Sequence, residues 1–309
     1  MKVLFIDSTH PLLKSLLEKN GFVCDEEYSL SKKYIEINIS KYEGIIIRSR
    51  FQIDSSFIDK AKKLKFICRA GSGLENIDVK YAESKGIKCY NAKAGNKQAV
   101  AEHALAMILS LFNNLLIANE EVKKGIWNRE KNRGIELAGK TVSIIGYGNN
   151  GSAFAELLKG FNVKILAYDK YLKKYPFKST MRKIYQETDI LSLHIPLNLE
   201  TMYLVNKEFI KNFKKNIYLI NTSRGKCINT TELVDCLKSK KILGACLDVL
   251  EYEKTSFEML SHTKNNNELQ YILQDERVIL SPHIAGWTYE SNIKIAEILF
   301  KKIISNFKN

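Results

Sequence analysis

Short apolar runs separated by polar loops set the rhythm of this chain. Gly44-Ile45-Ile46-Ile47 is apolar throughout, β-branched and too short for a helix, so it predicts a strand buried on both faces. Val3–Ile6, Phe66–Cys68 and Ile87–Tyr90 read the same way in the first hundred residues. Further along, Thr141–Ile145, Val163–Tyr168, Ile190–Leu193, Ile217–Ile220, Leu243–Leu247 and Val278–Leu280 repeat the pattern. Helical apolar spacing lies between them. Pro11–Asn20 turns Leu12, Leu13, Leu16 and Leu17 to one side and stops at Gly21, and Ser152–Gly160 and Thr231–Ser239 are similar.

The longest helical pattern runs from Lys97 to Lys124. Its broad apolar face (Ala101, Ala104, Leu105, Ile108, Leu109, Phe112, Leu115 and Leu116) suits a bridge between domains or a subunit interface. The last pattern, Tyr289 to Asn306, carries Ile293, Ile295, Ala296, Ile298, Leu299, Ile303 and Ile304 and is expected to pack back on the first domain. Residues 254–274, polar and containing Asn265-Asn266-Asn267, read as a surface excursion. Strands alternating with helices predict the α/β class, with a doubly wound parallel sheet. The expected division is 1–98 plus 287–309 as one domain and 99–286 as the other.

Composition changes this picture little. A chain of 309 residues has room for two domains, and 45% hydrophobic with 27% charged residues is ordinary for a globular protein. Met1–Asp7 places an acid after a very short apolar run, so no signal peptide is expected there. Ala104–Ala118 is interrupted by Asn113 and Asn114 and is too short to span a bilayer. Six cysteines without CxxC or zinc spacing read as reduced thiols in a cytoplasmic protein with no metal site. The net charge of +14 comes from lysines scattered along the chain, beside many Asn, Ile, Tyr and Phe. That mixture reflects AT-rich codons rather than a nucleic-acid surface, and neither nucleic acid nor membrane is expected as a partner. Arginine is scarce, with eight in all, so an arginine inside a motif carries more weight.

The chemistry starts at Gly146-Tyr147-Gly148-Asn149-Asn150-Gly151. This loop follows a predicted strand, opens a predicted helix, and is followed by a second strand ending on Asp169. Strand, glycine loop, helix, strand, acid is the dinucleotide fingerprint: the glycines permit a tight turn and close backbone approach to a diphosphate at the helix N-terminus. Asp169 suits ribose hydroxyls and repels a 2′-phosphate, so NAD is the expected cofactor, favoured over NADP.

A nucleotide fold names a cofactor and leaves the reaction open. Arg224 follows one strand within Asn221-Thr222-Ser223-Arg224-Gly225. Asp248 ends the next, with Glu253 in its loop, and His283 follows the last within Pro282-His283-Ile284-Ala285-Gly286. An arginine can bind a substrate carboxylate and polarise a carbonyl, and a histidine can carry the hydroxyl proton, helped by a carboxylate that favours its charged form. Each residue alone has a bland explanation, as a surface ion pair, a solvated acid or a core histidine. Their recurrence at successive strand ends points to hydride transfer at a 2-hydroxy acid. His194 and Pro196, at another strand end, are read as lining the cofactor site. In the first half, Arg48-Ser49-Arg50, Gly71-Ser72-Gly73 and Asn91–Asn96 also follow strands. Arg48, Arg50, Ser72, Gly73 and Asn96 are therefore candidate substrate contacts, although the glycine loop serves equally as a turn.

Over nearly its full length the chain resembles the D-isomer-specific 2-hydroxyacid dehydrogenases, on Gly146–Gly151, Leu193-His194-Ile195-Pro196-Leu197, Asn221–Gly225, Leu247-Asp248-Val249 with Glu253, and Pro282–Gly286. The resemblance implies two Rossmann-like domains, a doubly wound NAD domain and a smaller flavodoxin-like substrate domain formed from both termini, in a homodimer. It implies Arg224, Glu253 and His283 as the catalytic set, with His283 donating the proton in reduction. It implies cofactor contacts at Gly146, Gly148, Asn149, Asn150, Gly151, Asp169, Thr222, Ser223, Arg224, Asp248 and the segment His283, Ala285 and Gly286. Ile47-Arg48-Ser49-Arg50 and Gly125–Arg129 look most like the phosphoglycerate dehydrogenases, whose cations at these places lie near the substrate phosphate. Arg129 thus joins the substrate candidates, and the reaction implied is oxidation of 3-phosphoglycerate to 3-phosphohydroxypyruvate, opening serine biosynthesis. No regulatory domain is expected after the last helix. Two features depart from the family pattern: Lys254 stands where proline is usual, and a long polar segment follows it. The alternatives are another 2-keto acid (glyoxylate, hydroxypyruvate or erythronate phosphate), or an NAD-sensing corepressor resembling the C-terminal binding proteins.

Overall fold

Each of the short apolar runs becomes a strand in one of two all-parallel sheets. The computed structural model describes residues 1–254, 260 and 266–307. Two compact units emerge. The first holds Met1–Asn96 and the end of the chain from Trp287; the second holds Lys97–Glu253 and the residues leading up to Gly286.

In the first unit, β1 (Lys2–Phe5), α1 (Pro11–Lys19), β2 (Val23–Glu26), α2 (Lys32–Asn38) and β3 (Gly44–Ile47) come in order. They are followed by α3 (Ser55–Lys60), β4 (Phe66–Arg69), α4 (Val79–Ser84) and β5 (Lys88–Asn91). The sheet order is β2-β1-β3-β4-β5. Alternate residues of its strands feed two cores. Leu4, Ile45, Ile47 and Ile67 face α2, α3 and α4, whereas Val3, Phe5, Ile46, Phe66 and Cys68 face Leu13 and Leu17 of α1 and the final helix.

The second unit opens with α5 (Lys97–Phe112) and α6 (Leu115–Lys123), then β6 (Thr141–Ile145), α7 (Asn149–Leu158), β7 (Lys164–Tyr168), α8 (Met181–Glu187) and β8 (Ile190–Leu193). There follow α9 (Lys207–Lys211), β9 (Ile217–Asn221), α10 (Thr230–Lys238), β10 (Ile242–Leu247), α11 (Asn267–Gln274) and β11 (Val278–Leu280). Here the order is β11-β10-β9-β8-β6-β7. The first strand of each unit therefore sits where the order reverses, and in parallel sheets ligands bind at the strand carboxyl ends beside that switch. The final helix, α12 (Tyr289–Phe307), returns to the first unit and buries Ile295, Ala296, Leu299 and Ile303.

Three expectations are corrected. The pattern from Lys97 to Lys124 is two helices bent by 61°, not one. Asn113 turns its side chain back to the Leu109 carbonyl, and Asn114 takes a left-handed φ of 50°, which asparagine tolerates better than most residues. The polar stretch 254–274 is not all excursion: Asn267–Gln274 is a helix capped by Asn266 Oδ1, with Leu269 and Ile272 buried. Its remainder falls mostly outside the described residues. Third, β2 was not foreseen, because Val23–Glu26 is a half-exposed edge strand with one side chain in four strongly apolar. Among the described residues no single helix is long and apolar enough to cross a membrane.

Candidate active site

The glycine loop leaves β6 as a tight turn. Gly146 has φ +91° and donates its N–H to the Tyr168 carbonyl at 2.8 Å. A Cβ on Gly146 would lie 2.4 Å from the His194 carbonyl oxygen, and one on Gly151 would lie 2.0 Å from the Gly146 oxygen. The space beside Gly148, which caps α7, is open. Asp169, at the end of β7, binds this turn. Its Oδ2 accepts from the Tyr147 N–H at 2.9 Å, and its Oδ1 accepts from the Tyr171 and Leu172 N–H groups at 2.9 and 3.0 Å. Partial burial works against the carboxylate, yet those three N–H groups outweigh it and hold the pKa below the usual range.

Three buried polar atoms on neighbouring elements have no partner among the described residues: Asn150 Oδ1, His194 Nδ1 and Thr222 Oγ1. Asn150 stands in the first turn of α7, His194 follows β8 and Thr222 follows β9. Uncompensated buried polar atoms are costly, and a cofactor rich in hydroxyl, amide and phosphate groups would satisfy them. Together with the open glycine turn and Asp169, they fit NAD. His194 Nε2 is 2.9 Å from Ser192 Oγ, its ring packs on Phe154, and burial pushes its pKa down to about 4. Pro196 is exposed, and its carbonyl accepts from Thr201 Oγ1.

Adjacent strands β9, β10 and β11 deliver Arg224, Glu253 and His283. Asn221 Oδ1 accepts from both Ser223 N–H and Ser223 Oγ, and its Nδ2 donates to the Arg224 carbonyl, which fixes the turn carrying Arg224. Arg224 itself donates from Nη1 to the Ser223 carbonyl at 2.6 Å. Glu253 Oε2 lies 2.6 Å from His283 Nδ1, while Oε1 accepts the Leu250 N–H at 2.6 Å. His283 sits at φ +56°, a strained conformation for a non-glycine residue that costs on the order of 1 kcal/mol or more. Asp248, 1% exposed, holds the surrounding turn: Oδ1 accepts from Ser281 Oγ and the Ile284 N–H, and Oδ2 from the Ala285 N–H. Gly286 ends the segment.

In the first unit Asp7 Oδ2 accepts from three successive N–H groups, those of Arg48, Ser49 and Arg50. Arg48 lies over the Trp287 ring at 4.3 Å and borders a cavity of about 200 Å³ with Ser8, His10, Trp287 and Asn292. Arg50 requires correction as a substrate contact. Its guanidinium turns into the protein and donates to the carbonyls of Ile6, Glu27 and Leu30 at 2.9, 2.8 and 2.6 Å, so it ties loops together. Ser72 Oγ donates to Asn96 Oδ1 at 2.8 Å, and Gly73 lies in the same loop. Arg129 is exposed in the second unit, in the loop after α6. From the sequence His103 reads as structural or exposed, and Asp7, Ser281 and Trp287 carry no functional motif, because the partners of all four lie far along the chain.

The profile of the D-isomer specific 2-hydroxyacid dehydrogenase NAD binding domain matches residues 105–285. The chain belongs to this family. D-3-phosphoglycerate dehydrogenase of Archaeoglobus fulgidus is 32% identical over 314 residues, covering 100% of this chain and 58% of its own length. Hydroxypyruvate reductase of Thermotoga maritima is 32% identical over 290 residues, covering 90% of this chain and 92% of its own. The chain thus spans little more than half of the phosphoglycerate dehydrogenases it resembles. Among solved structures, the D-lactate dehydrogenase of Aquifex aeolicus, complexed with NAD and lactic acid, superposes with a TM-score of 0.83 at 28% identity, covering 100% of this chain and 96% of that one. A solved dehydrogenase whose name gives another acid, lactate, therefore shares this architecture. Among the described residues no cluster of three or more His, Cys, Asp or Glu side chains is arranged to hold a metal ion.

Proposed function

We propose that this chain is an NAD-dependent D-2-hydroxyacid dehydrogenase that oxidises 3-phosphoglycerate to 3-phosphohydroxypyruvate, the entry to serine biosynthesis. The observation that carries the reaction class is the Glu253–His283 pair at 2.6 Å, one strand away from Arg224. NAD, when bound, supplies the hydride acceptor. The turn Gly146–Gly151, Asp169, Asn150, His194 and Thr222 hold and orient it. His283 takes the hydroxyl proton at Nε2, since Nδ1 is engaged by Glu253. Arg224 binds the substrate carboxylate and polarises the oxygen that becomes the carbonyl.

Support for a phosphorylated substrate is narrower. It rests on the likeness to phosphoglycerate dehydrogenases and on Arg48, which borders a cavity with its guanidinium braced on Trp287. The Thermotoga maritima hydroxypyruvate reductase favours a second reading, reduction of an unphosphorylated 2-keto acid, because the aligned region spans 92% of that protein. Initial rates with 3-phosphoglycerate and glycerate under NAD, and with the two matching keto acids under NADH, separate these. Equal or better efficiency on the unphosphorylated pair would overturn the phosphoglycerate reading and leave the dehydrogenase. We also infer a cytoplasmic homodimer, supported by exposed Leu115, Leu116, Val122, Ile126 and Trp127 on and just after α6. Light scattering on the purified chain tests the dimer.

A further inference from the structure

We propose that His103 is a positioning residue for hydride transfer, acting through Ser281 and Asp248 on the backbone that sets His283. This rests on the dehydrogenase reading above. His103 stands on α5, 178 residues before Ser281, and its Nε2 lies 2.8 Å from Ser281 Oγ. Ser281 Oγ in turn lies 2.6 Å from Asp248 Oδ1. A carboxylate can only accept, so the serine hydroxyl donates to Asp248 and its oxygen accepts a hydrogen bond from His103 Nε2–H. That order fixes a proton on His103 Nε2, which also lies 3.5 Å from Asp248 Oδ1.

The chain of bonds ends at His283. Asp248 accepts the Ile284 N–H at 2.8 Å and the Ala285 N–H at 2.9 Å, and its own carbonyl accepts the His283 N–H at 2.8 Å. The residue at φ +56° is therefore gripped on both sides by one aspartate. A left-handed histidine persists only while its surroundings over-determine it. Removing the His103 donor frees the Ser281 hydroxyl to turn towards Met107 Sδ, 3.8 Å away, and the aspartate loses one of the three contacts that orient its carboxylate. A histidine that only fills the core would affect melting and leave turnover alone. A positioning histidine affects kcat.

The test uses full-length protein with NADH and whichever of 3-phosphohydroxypyruvate and hydroxypyruvate the wild type reduces. His103→Phe is expected to lower kcat by about tenfold or more with KM for the acid nearly unchanged. His103→Gln, whose amide N–H can reach Ser281 Oγ, is expected to recover most of the loss. Ser281→Ala should reproduce it, and the double variant should be no worse than Ser281→Ala alone. Wild-type kcat in His103→Phe, or losses that multiply in the double variant, would overturn the proposal. Should His103→Phe fail to fold, Ser281→Ala decides, because unchanged kcat there overturns it too. Inactivity of the wild type on both acids would overturn the choice of acid on which this inference rests, and this inference with it.

Discussion

Glu253 holds His283 Nδ1 with one carboxylate oxygen and the Leu250 N–H with the other, each at 2.6 Å. The glutamate cannot swing away without leaving a backbone donor unsatisfied, so the imidazole has a fixed orientation with Nε2 as its working nitrogen. Replacing His283 with alanine is expected to cut kcat by roughly 10² to 10⁴-fold while NADH still binds, as read by quenching of tryptophan fluorescence. Glu253→Gln should lower kcat more than it raises KM. Retention of wild-type kcat in His283→Ala would show that the proton moves elsewhere.

Asp169 predicts cofactor choice and loop stability together. NAD should be preferred over NADP, because a carboxylate facing a 2′-phosphate adds repulsion of a few kcal/mol at most in a partly wet site. The same carboxylate receives the N–H groups of Tyr147, Tyr171 and Leu172, so Asp169→Ala should also cost about 1 to 3 kcal/mol of stability. Asp169→Asn keeps one acceptor oxygen, and should narrow the cofactor gap at a smaller structural cost. Steady-state kinetics with both cofactors, beside chemical denaturation of the two variants, checks both halves. Equal use of NAD and NADP by the wild type would refute the first.

His194 makes a prediction about pH. Burial depresses its pKa from 6.5 to about 4, so between those values the unfolded chain binds a proton that the folded chain refuses. Its contribution to stability is present in full above pH 6.5 and is lost as pH falls towards 4. The loss is on the order of 1 to 3 kcal/mol, from about 1.4 kcal/mol per pH unit discounted for local relaxation. Thermal melts of His194→Phe should show a flatter pH dependence across that window than the wild type. Parallel curves for the two proteins would rule this group out as the source.

The three arginines proposed for a phosphate now separate. Arg50→Ala strands three carbonyls and should destabilise the protein by about 1 to 3 kcal/mol, with little effect on KM in the folded fraction. Arg48→Ala should instead raise KM for 3-phosphoglycerate, losing about 1.5 to 3 kcal/mol for one charge-assisted contact, and leave slow turnover of glycerate almost untouched. Arg129→Ala should raise KM for 3-phosphoglycerate and leave slow turnover of glycerate almost untouched; equal effects on both acids would remove it from the substrate contacts. Because Trp287 stacks on Arg48, phosphate or sulfate binding should also shift its emission, best read in a Trp127→Phe background.

The fold class was legible because buried parallel strands are written as β-branched runs such as Gly44–Ile47 and Thr141–Ile145, which need no long-range information. What escaped depends on tertiary context. Val23–Glu26 is a strand only because Lys2–Phe5 lies beside it to pair with. Asn267–Gln274 carries apolar residues at i and i+3 behind an Asn cap, a signal drowned by the polar stretch before it. The glycine turn and the strand-end triad were legible as motifs. No motif could reveal that Arg50 folds inward onto carbonyls, or that His103 on a distant helix meets Ser281. Such pairings belong to the folded chain and have no local spelling.

The order of elements has a consequence for biosynthesis. The last helix, Tyr289–Phe307, supplies Ile295, Leu299 and Ile303 to the core that Val3, Phe5 and Phe66 begin. On the ribosome, the unit whose strands emerge first must wait for residues made only after the whole of the second unit, while that second unit can already close. A nascent chain stalled before Tyr289 would therefore present one complete nucleotide fold joined to a bare apolar sheet face, a species that chaperones and proteases recognise.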